Sequence, residues 1–560
     1  MRTLSFLILA LAILGTTSYA AVPEPLLLFN GRIHTGDAAH TTAEAVLAIE
    51  GRIALVGTSQ EVLAKAPAEA RRIDLKGQSV LPGLTDAHAH LAGIGFRELE
   101  FDLEGVDSLS ALKARLAERA AGAKPGEWIS GRGWIESRWT PPVFPAREDL
   151  DEVAADYAVI LTRADGHALV ANSLALERAA IDRDTPDPVG GQILKDPATG
   201  EPTGMLIDAA MQLVQRLIPS YTDEQTLKAL ETGARRSIRL GWTQVQYAGT
   251  SWNEVDLLCR LHAEDRLKVR VYVAIDGPGP DADRLLKEGA SLDRCGDRVT
   301  VRAIKLYIDG ALGSRGAALL APYSDAPHSD GLLVNTPESL LPILTAALRR
   351  GIQIQTHAIG DRGNRLMLDL YEKAFAAVPP KERAVAEPRW RIEHAQVLSG
   401  PDIGRFAKLG VIASMQPSHA IGDLFFAPQR LGSARLSGAY AWRTLLEAGA
   451  TIAAGSDAPV EQGDPRIEFY AAVARRSIDG FADANWHLEQ RVSRARALRM
   501  MTLAPAYAAF QEQERGSIEV GKQADFSIFS TDLMSIPESA ILQAEPVMTI
   551  IGGEIVYAHE

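Results

Sequence analysis

The residues of this chain that could do chemistry are histidines and an aspartate placed at the ends of apolar runs: His88, His90, His357, His394 and Asp457. His88 and His90 are separated by one residue, so both imidazoles lie on one face if the run before them is a β-strand. Neutral imidazole is a favoured ligand for zinc and similar divalent ions, and carboxylate oxygen also binds zinc. Two neighbouring histidines could be a coincidence of sequence, so a metal site requires a fold that brings all five side chains together.

Strand-like runs alternate with helix-like segments through most of the chain, which is the pattern of βα units around a parallel sheet. Eight runs qualify as strands: residues 80–87, 243–247, 269–275, 301–307, 352–356, 391–393, 411–415 and 451–454. Apolar residues at three- and four-residue spacing predict helices between them, at residues 223–240, 255–264, 337–350 and 366–377. Eight units predict an α/β fold with a TIM-type (β/α)₈ barrel, whose strand ends meet at one mouth. The four histidines and Asp457 would face one another there, more ligands than one tetrahedral zinc site requires.

The domain organisation follows from what lies outside these units. Short strand-like runs at both chain ends predict one small β-domain, made of residues 21–80 and 510–560, beside a barrel of residues 81–509. Residues from about 105 to 220 form an insertion after the first barrel strand, which we expect to cover the mouth and to form part of the substrate pocket. His167 in this insertion could bind substrate or simply cap local structure.

Residues 1–20 are typical of a secretory signal, with a basic start, a short apolar run and small residues before a predicted cut after Ala20. The run is too short to span a bilayer core of about 30 Å, so no stable membrane anchor is expected after its removal. We therefore expect a secreted or periplasmic protein. The formal net charge of −13 over 560 residues argues against nucleic acid as the main partner.

Two cysteines, Cys259 and Cys295, are too few for a cysteine-rich structural zinc site. An oxidising compartment would permit a bridge between them, but two buried thiols are an equally good interpretation.

Other residues near the predicted mouth have both a functional and a structural interpretation. Lys305 lies inside an apolar run, where a buried ammonium needs a partner or loses its charge unless the side chain reaches water. Ser314 and Arg315 follow in a glycine-rich loop and could hold a substrate carboxylate or carbonyl by charge-assisted hydrogen bonds. His419, just after the seventh run, could bind substrate or lie on the loop surface.

Several stretches resemble the metal site of the amidohydrolase superfamily and, more narrowly, its YtcJ-like branch, the amidohydrolase 3 type: LPGLTDAHAH at 81–90, KLYIDGALGSR at 305–315, HAIGD at 357–361, EHA at 393–395 and GSDAP at 455–459. The resemblance extends over nearly the whole chain after residue 20. It departs from the family at Gly316, where threonine is common, and at Tyr247, where an acidic residue is common.

The resemblance implies a (β/α)₈ metallohydrolase with a β-sandwich beside the barrel and one or two divalent metal ions, zinc before others. His88, His90 and Asp457 would hold the more buried ion. His357 and His394 would hold a second ion, and a carboxylated Lys305 would bridge the two.

The expected function is hydrolysis of a carbon–nitrogen bond, in an amide or N-acyl compound, by an exported enzyme with a small-molecule substrate. A metal-bound water loses its proton near neutral pH, the hydroxide attacks the carbonyl carbon, and Asp457 moves the proton to the leaving amine. Two alternatives stay open: deamination or cyclic-amide opening at the same site, and a non-catalytic ligand-binding protein on this scaffold. A homo-oligomer is compatible with this sequence, which fixes neither the substrate nor the oligomeric state.

Overall fold

The computed structural model describes residues 23–39, 41–136, 139–163, 168–188, 191–483 and 486–559. The expected signal sequence, residues 1–20, lies outside them. Within this part of the chain, every helix is too short or too polar to cross a membrane.

The central element is an eight-stranded, all-parallel sheet, as the sequence predicts. Its strands, called barrel strands 1 to 8 in chain order, are Leu84–Ala89, Trp242–Thr250, Arg270–Asp276, Val299–Tyr307, Gln353–Ala358, Arg391–His394, Ile412–Met415 and Ile452–Ala454. The barrel closes between strands 8 and 1, where the backbone N–H of Asp457 donates to the carbonyl of His88 at 2.7 Å. The predicted TIM-type barrel is thus confirmed.

The start of the first predicted strand is wrong, because residues 80–82 belong to another sheet. Ser79–Pro82 pairs with Phe526–Phe529 in the terminal domain. At Gly83 the chain passes into the barrel, and an added Cβ there would lie 2.5 Å from Thr243 Oγ1. A single apolar run therefore serves two sheets, and only the Pro82-Gly83 pair marks the change.

The helices around the barrel agree with their apolar spacing. Asp223–Leu240 and Pro337–Arg350 have the predicted bounds. Trp252–Ala263 begins earlier than predicted, at a capping box between Ser251 and Glu254, and Asp361–Ala377 also begins earlier. The remaining helices of the barrel are Leu91–Leu99, Pro280–Glu288, Gly400–Leu409, Pro417–Gly422, Ala427–Leu431, Trp442–Glu447, Pro465–Ala474, Arg494–Met501 and Leu503–Ala508.

Both ends of the described chain contribute to a β-sandwich. One sheet has the order Arg52–Gly57, Ala45–Ile49, Leu26–Phe29, Arg71–Asp74. The other has the order Glu554–Ala558, Pro546–Ile551, Phe526–Phe529, Ser79–Pro82, Arg32–His34, Thr42–Ala43. Buried side chains of both sheets, among them Leu28, Val46 and Phe526, form one apolar core. The helix Ser59–Lys65 completes this domain.

The insertion after barrel strand 1 is a sheet of its own, beginning at Phe101 rather than near residue 105. Its order is Gly191–Lys195, Pro202–Asp208, Ala168–Ala171, Ala158–Arg163, Trp128–Trp134, Phe101–Asp102. Val159 and Leu161 enter one apolar core and Ala158 and Ile160 the other, so this strand is buried on both faces. The helices Leu109–Ala121, Arg147–Ala154, Ser173–Arg178 and Gln212–Gln215 cover the sheet.

Cys259 and Cys295 form a disulfide, with their Cα atoms 5.2 Å apart. Cys259 lies in the helix Trp252–Ala263, and Cys295 lies in the short strand Arg294–Asp297. The bridge joins the helix after barrel strand 2 to the segment before barrel strand 4.

Candidate metal centre

The carboxyl ends of the barrel strands bring the predicted ligands together. His88 lies near the end of barrel strand 1, with His90 immediately after that strand. His357 and His394 lie at the ends of barrel strands 5 and 6. Asp457 follows barrel strand 8 by three residues. Residues distant in the sequence therefore converge on one mouth, as expected for this fold.

Three of these residues form a compact group of donors, which we call the His88 group: His88, His90 and Asp457. Oδ1 of Asp457 lies 3.1 Å from His90 Nε2 and 3.5 Å from His88 Nε2. His88 is fully buried, and the His90 side chain is one-third exposed. The group therefore presents two imidazole nitrogens and a carboxylate oxygen to one point, with access from the His90 side.

A second group of potential ligands shares the same aspartate, and we call it the His394 group: His394, His419 and Asp457. Oδ2 of Asp457 lies 3.5 Å from His419 Nε2. Asp457 therefore lies between the two groups, with one carboxylate oxygen toward each. The sequence placed His419 among the substrate-binding candidates, and the structure brings it to the centre of the mouth.

Lys305 and His357 complete the inner surface. Nζ of Lys305 lies 3.4 Å from His88 Nε2, and the whole side chain is buried. The ring of His357 lies 4.6 Å from that of His394. Nε2 of His357 is buried without a hydrogen-bond partner among the described residues. All six ligands proposed from the sequence thus lie close together at the mouth of the barrel.

His88 is oriented by a buried ion pair that sequence reasoning missed. Its Nδ1 lies 2.5 Å from Glu393 Oε2, which leaves Nε2 facing the centre. Arg391 holds both oxygens of Glu393, at 2.7 and 2.9 Å, and also donates to the carbonyl of Ala87. Arg391 and Glu393 stand two residues apart on one strand, so opposite charges on one face of a buried strand were the available signal. Such a carboxylate fixes the tautomer of a ligating histidine and raises its basicity.

The turn that carries Asp457 is fixed by Asp86. Ser456 donates to Asp86 from its hydroxyl at 2.6 Å and from its backbone N–H at 2.8 Å. Asp457 and His394 both adopt positive φ angles, of 59° and 73°. Because such a backbone costs about 1–3 kcal/mol for a non-glycine residue, the contacts of Asp86 help to hold Asp457 in a strained position.

Burial sets the protonation of the site. It lowers the pKa of His88 to about 4 and that of His357 to about 3, and it lowers the pKa of His394 well below its ordinary value. Burial also lowers the pKa of Lys305 to about 8. It would raise the pKa of Asp457, but the hydrogen bond with His90 and the nearby His88 hold that pKa well below its usual range. The imidazoles of His88, His357 and His394 are therefore neutral and the carboxylate of Asp457 is ionised near pH 7, which is the state that binds metal.

The other substrate-binding candidates from the sequence lie away from the two groups or outside the described residues. His167 lies outside the described residues. The guanidinium of Arg315 is paired with Asp325, at 2.9 and 3.1 Å. The hydroxyl of Ser314 donates to the carbonyl of Ala311 at 3.4 Å. Neither side chain is brought into the His88 or the His394 group.

The residues present fit a divalent metal ion. Three potential ligand atoms lie close together in each group, and Nε2 of His357 is buried without a hydrogen-bond partner among the described residues. Imidazole and carboxylate donors suit zinc and other first-row divalent ions. This is a candidate metal site at the mouth of a (β/α)₈ barrel.

Comparisons with known proteins agree with this geometry. The family model described as "Amidohydrolase family" matches residues 71–557. The protein LONG AFTER FAR-RED 3 of Arabidopsis thaliana is 34% identical, over 97% of this chain and 93% of its own length. YtcJ of Bacillus subtilis (strain 168), whose name classes it as an amidohydrolase, is 33% identical over 92% of this chain and 96% of its own. N-substituted formamide deformylase of Arthrobacter pascens is 28% identical over 95% and 98%.

A solved structure of an uncharacterised metal-dependent hydrolase from Pyrococcus furiosus superimposes with a TM-score of 0.74 at 27% identity, covering 91% of this chain and all of the other. The chain belongs to the amidohydrolase family. It is a metal-dependent hydrolase of that family, and the resemblance seen in the sequence is confirmed.

Proposed function

We propose that this protein hydrolyses a carbon–nitrogen bond of an amide or N-acyl small molecule, with Asp457 as the group that moves the proton. The observation that carries the proposal is the position of Asp457, whose Oδ1 joins His88 and His90 while Oδ2 faces the other side of the mouth. A carboxylate so placed can take a proton from a water beside the His88 group and deliver it to a leaving nitrogen. The name of the relative N-substituted formamide deformylase supports an amide-type bond.

His88, His90 and Asp457 would hold a divalent ion, whose chemistry there would be activation of a water and polarisation of the substrate carbonyl. The chain itself supplies orientation, through Glu393 on His88 and Asp86 on the turn of Asp457. We propose zinc as this ion, since the donor set is imidazole and carboxylate.

We also propose that Lys305 is carboxylated. Burial lowers the pKa of its amine to about 8, so a minor neutral fraction is present near neutral pH to react with carbon dioxide. The amine nitrogen bonds to the carbon of CO₂ and releases a proton, and the resulting carbamate would be an anion next to His88. Metal uptake that rises with added bicarbonate in the wild type, and not in Lys305→Met, is the expected result.

The test of the function is Asp457→Asn with metal analysis and a panel of N-substituted formamides, N-acyl amino acids and cyclic amides. We expect metal retained by His88 and His90 while kcat falls about 100- to 10,000-fold, the usual contribution of a positioned acid–base group. Asp369→Asn, at a surface ion pair with Arg405, is the matched control and should keep full activity. Near-normal turnover of Asp457→Asn at full metal occupancy would refute the role, and no hydrolysis of any panel member by the wild type would favour a binding protein.

Export is part of the proposal. The disulfide between Cys259 and Cys295 supports it, because such bonds persist in oxidising compartments. Expression of the full chain followed by N-terminal sequencing of the mature protein should give Ala21 as the first residue. A cytoplasmic, uncleaved protein would contradict this.

A further inference from the structure

His419 differs from the other histidines of the mouth in what surrounds its ring. It lies in the helix Pro417–Gly422, directly after barrel strand 7, and its side chain is 8% exposed. Its Nε2 is buried without a hydrogen-bond partner among the described residues, 3.5 Å from Asp457 Oδ2 and 4.0 Å from Glu461 Oε1. A buried nitrogen of this kind is either a metal ligand or an N–H donor whose acceptor is supplied by a bound molecule.

The neighbours of Nδ1 distinguish these two roles. Nδ1 of His88 faces a carboxylate oxygen of Glu393, and Nδ1 of His394 faces the amide oxygen of Gln416 at 2.8 Å. Both partners accept, so the proton lies on Nδ1 and the lone pair of Nε2 is free for a metal ion. Gln416 is itself held in this orientation, because its amide nitrogen donates to the carbonyl of Ser414.

His419 has the opposite partner. Its Nδ1 lies 2.8 Å from Nε2 of Gln396, an amide nitrogen that can only donate. With Gln396 in this orientation, Nδ1 of His419 accepts the hydrogen bond and the proton lies on Nε2, on the side of Asp457 Oδ2. Gln396 stands two residues after His394, just past the two positive-φ residues His394 and Ala395.

We propose that Gln396 fixes His419 as an Nε2–H donor that binds the carbonyl oxygen of the substrate, and that His419 is not a metal ligand. The oxygen in question rests on the proposed function, since it is the one that gains negative charge when the carbonyl is attacked. A preorganised donor aimed at that oxygen, in a site from which water is excluded, is worth about 100- to 1000-fold in kcat. Binding would also supply the acceptor that this buried N–H otherwise lacks.

The first test separates a donor from a ligand. His419→Phe should keep the metal content of the wild type by elemental analysis, while kcat falls about 100- to 1000-fold and KM changes less. His419→Gln, which retains an N–H, should recover part of the lost kcat. His394→Phe is the comparison, because it removes a nitrogen of ligand type and should lower metal content. Loss of metal in His419→Phe to the same extent as in His394→Phe would overturn the proposal.

The second test needs no substrate and so stands if the proposed function fails. In metal-loaded protein labelled with ¹⁵N-histidine, the signals lost in His419→Phe identify the ring, and its proton is expected on Nε2. Gln396→Glu presents only acceptor oxygens when ionised, so the proton should move to Nδ1 and kcat should fall as in His419→Phe. Thermal unfolding and circular dichroism establish that each variant is folded. A proton on Nδ1 in the wild type, or an unchanged tautomer in folded Gln396→Glu, would refute the role of Gln396.

Discussion

The His88 and His394 groups share Asp457 yet are supported in different ways. His88 is backed by a carboxylate, Glu393, which is itself held by a buried arginine. His394 is backed by the neutral amide of Gln416. The charged support is also the more completely buried, since Glu393 and Arg391 are both fully enclosed. From this difference we expect His88 to be held more rigidly, and to contribute more to metal affinity, than His394.

Substitution of the charged support should have the largest effect. Glu393→Gln gives His88 the same kind of neutral partner that His394 has, and it leaves Arg391 without its buried counter-charge. Breaking a buried ion pair costs about 3–5 kcal/mol, and loss of an outer-shell carboxylate lowers metal affinity about 10- to 100-fold. Urea unfolding and metal titration against a competing chelator measure the two effects.

A double variant that also removes the charge of Arg391 separates the loss of the ion pair from the cost of an unpaired buried charge. Arg391→Met/Glu393→Gln removes both charges and should be less destabilised than Glu393→Gln alone, because no buried charge is left unpaired. Metal affinity should stay low in the double variant. If Glu393→Gln bound metal as tightly as the wild type, the two groups would not differ in the way described.

Acidification tests the His88 group without metal. The pKa of His88 is about 4 in the folded protein against an ordinary 6.5, so between these values the unfolded chain binds a proton that the folded chain does not. Stability of the chelator-treated protein should therefore fall as the pH is lowered from about 6.5 to about 4. His88 alone accounts for about 3 kcal/mol of that loss, at 1.36 kcal/mol per pKa unit.

His88→Asn is the matched variant for this measurement, since it lacks the titrating ring. Its stability should depend less on pH over the same interval, although it is less stable near pH 7 in the presence of metal. Parallel curves for the two proteins in urea unfolding from pH 7 to pH 4 would show that His88 is not the group responsible.

Most of the fold could be predicted from the sequence, because the signals that set it are local. Apolar runs and helical spacing placed the barrel strands, and two helices had the predicted bounds, Asp223–Leu240 and Pro337–Arg350. Besides the earlier starts of two helices and of the insertion, the prediction failed at residues 80–82, where strand periodicity continues while the hydrogen-bonding partner changes. Periodicity reports burial and not which sheet a strand joins.

Within the candidate site, the potential metal ligands could be predicted from the sequence, but the residues that orient them could not. His88, His90 and Asp457 stand at strand ends, so topology alone brings them together. The residues that hydrogen-bond to the histidines could not be predicted in this way. Gln396 and Gln416 are ordinary polar residues in the sequence, and their function depends on which atom of each amide faces a histidine. The pairing of Cys259 with Cys295 was likewise left open, because separation along the chain says nothing about distance in the fold.

Cys259→Ser offers a change in stability away from both groups. The disulfide closes a loop with a sequence separation of 36, and removal of such a bond costs about 2–4 kcal/mol. Unlike Glu393→Gln, this variant should keep the metal affinity and kcat of the wild type at 25 °C. Reduction of the wild type should lower its urea midpoint by the same amount as the Cys259→Ser substitution does. Reduction of Cys259→Ser itself should cause no further shift. A coupled loss of metal would mean that Glu393→Gln reports general destabilisation rather than support of His88.

The smallest expected effect is at the neutral support, Gln416→Leu. Leucine has a similar volume and removes the acceptor for Nδ1–H of His394, and a buried N–H left without its acceptor costs about 1–3 kcal/mol. Metal held by the His88 group should be unaffected, because Gln416 contacts neither His88 nor His90 by hydrogen bond. The informative comparison is between the effects of Gln416→Leu and Glu393→Gln on stability and on metal affinity. If both variants lose the same amount of each, the centre depends equally on both groups. If Gln416→Leu has a several-fold smaller effect in the same titration, the buried ion pair of Arg391 and Glu393 contributes more to metal affinity than the neutral hydrogen bond of Gln416.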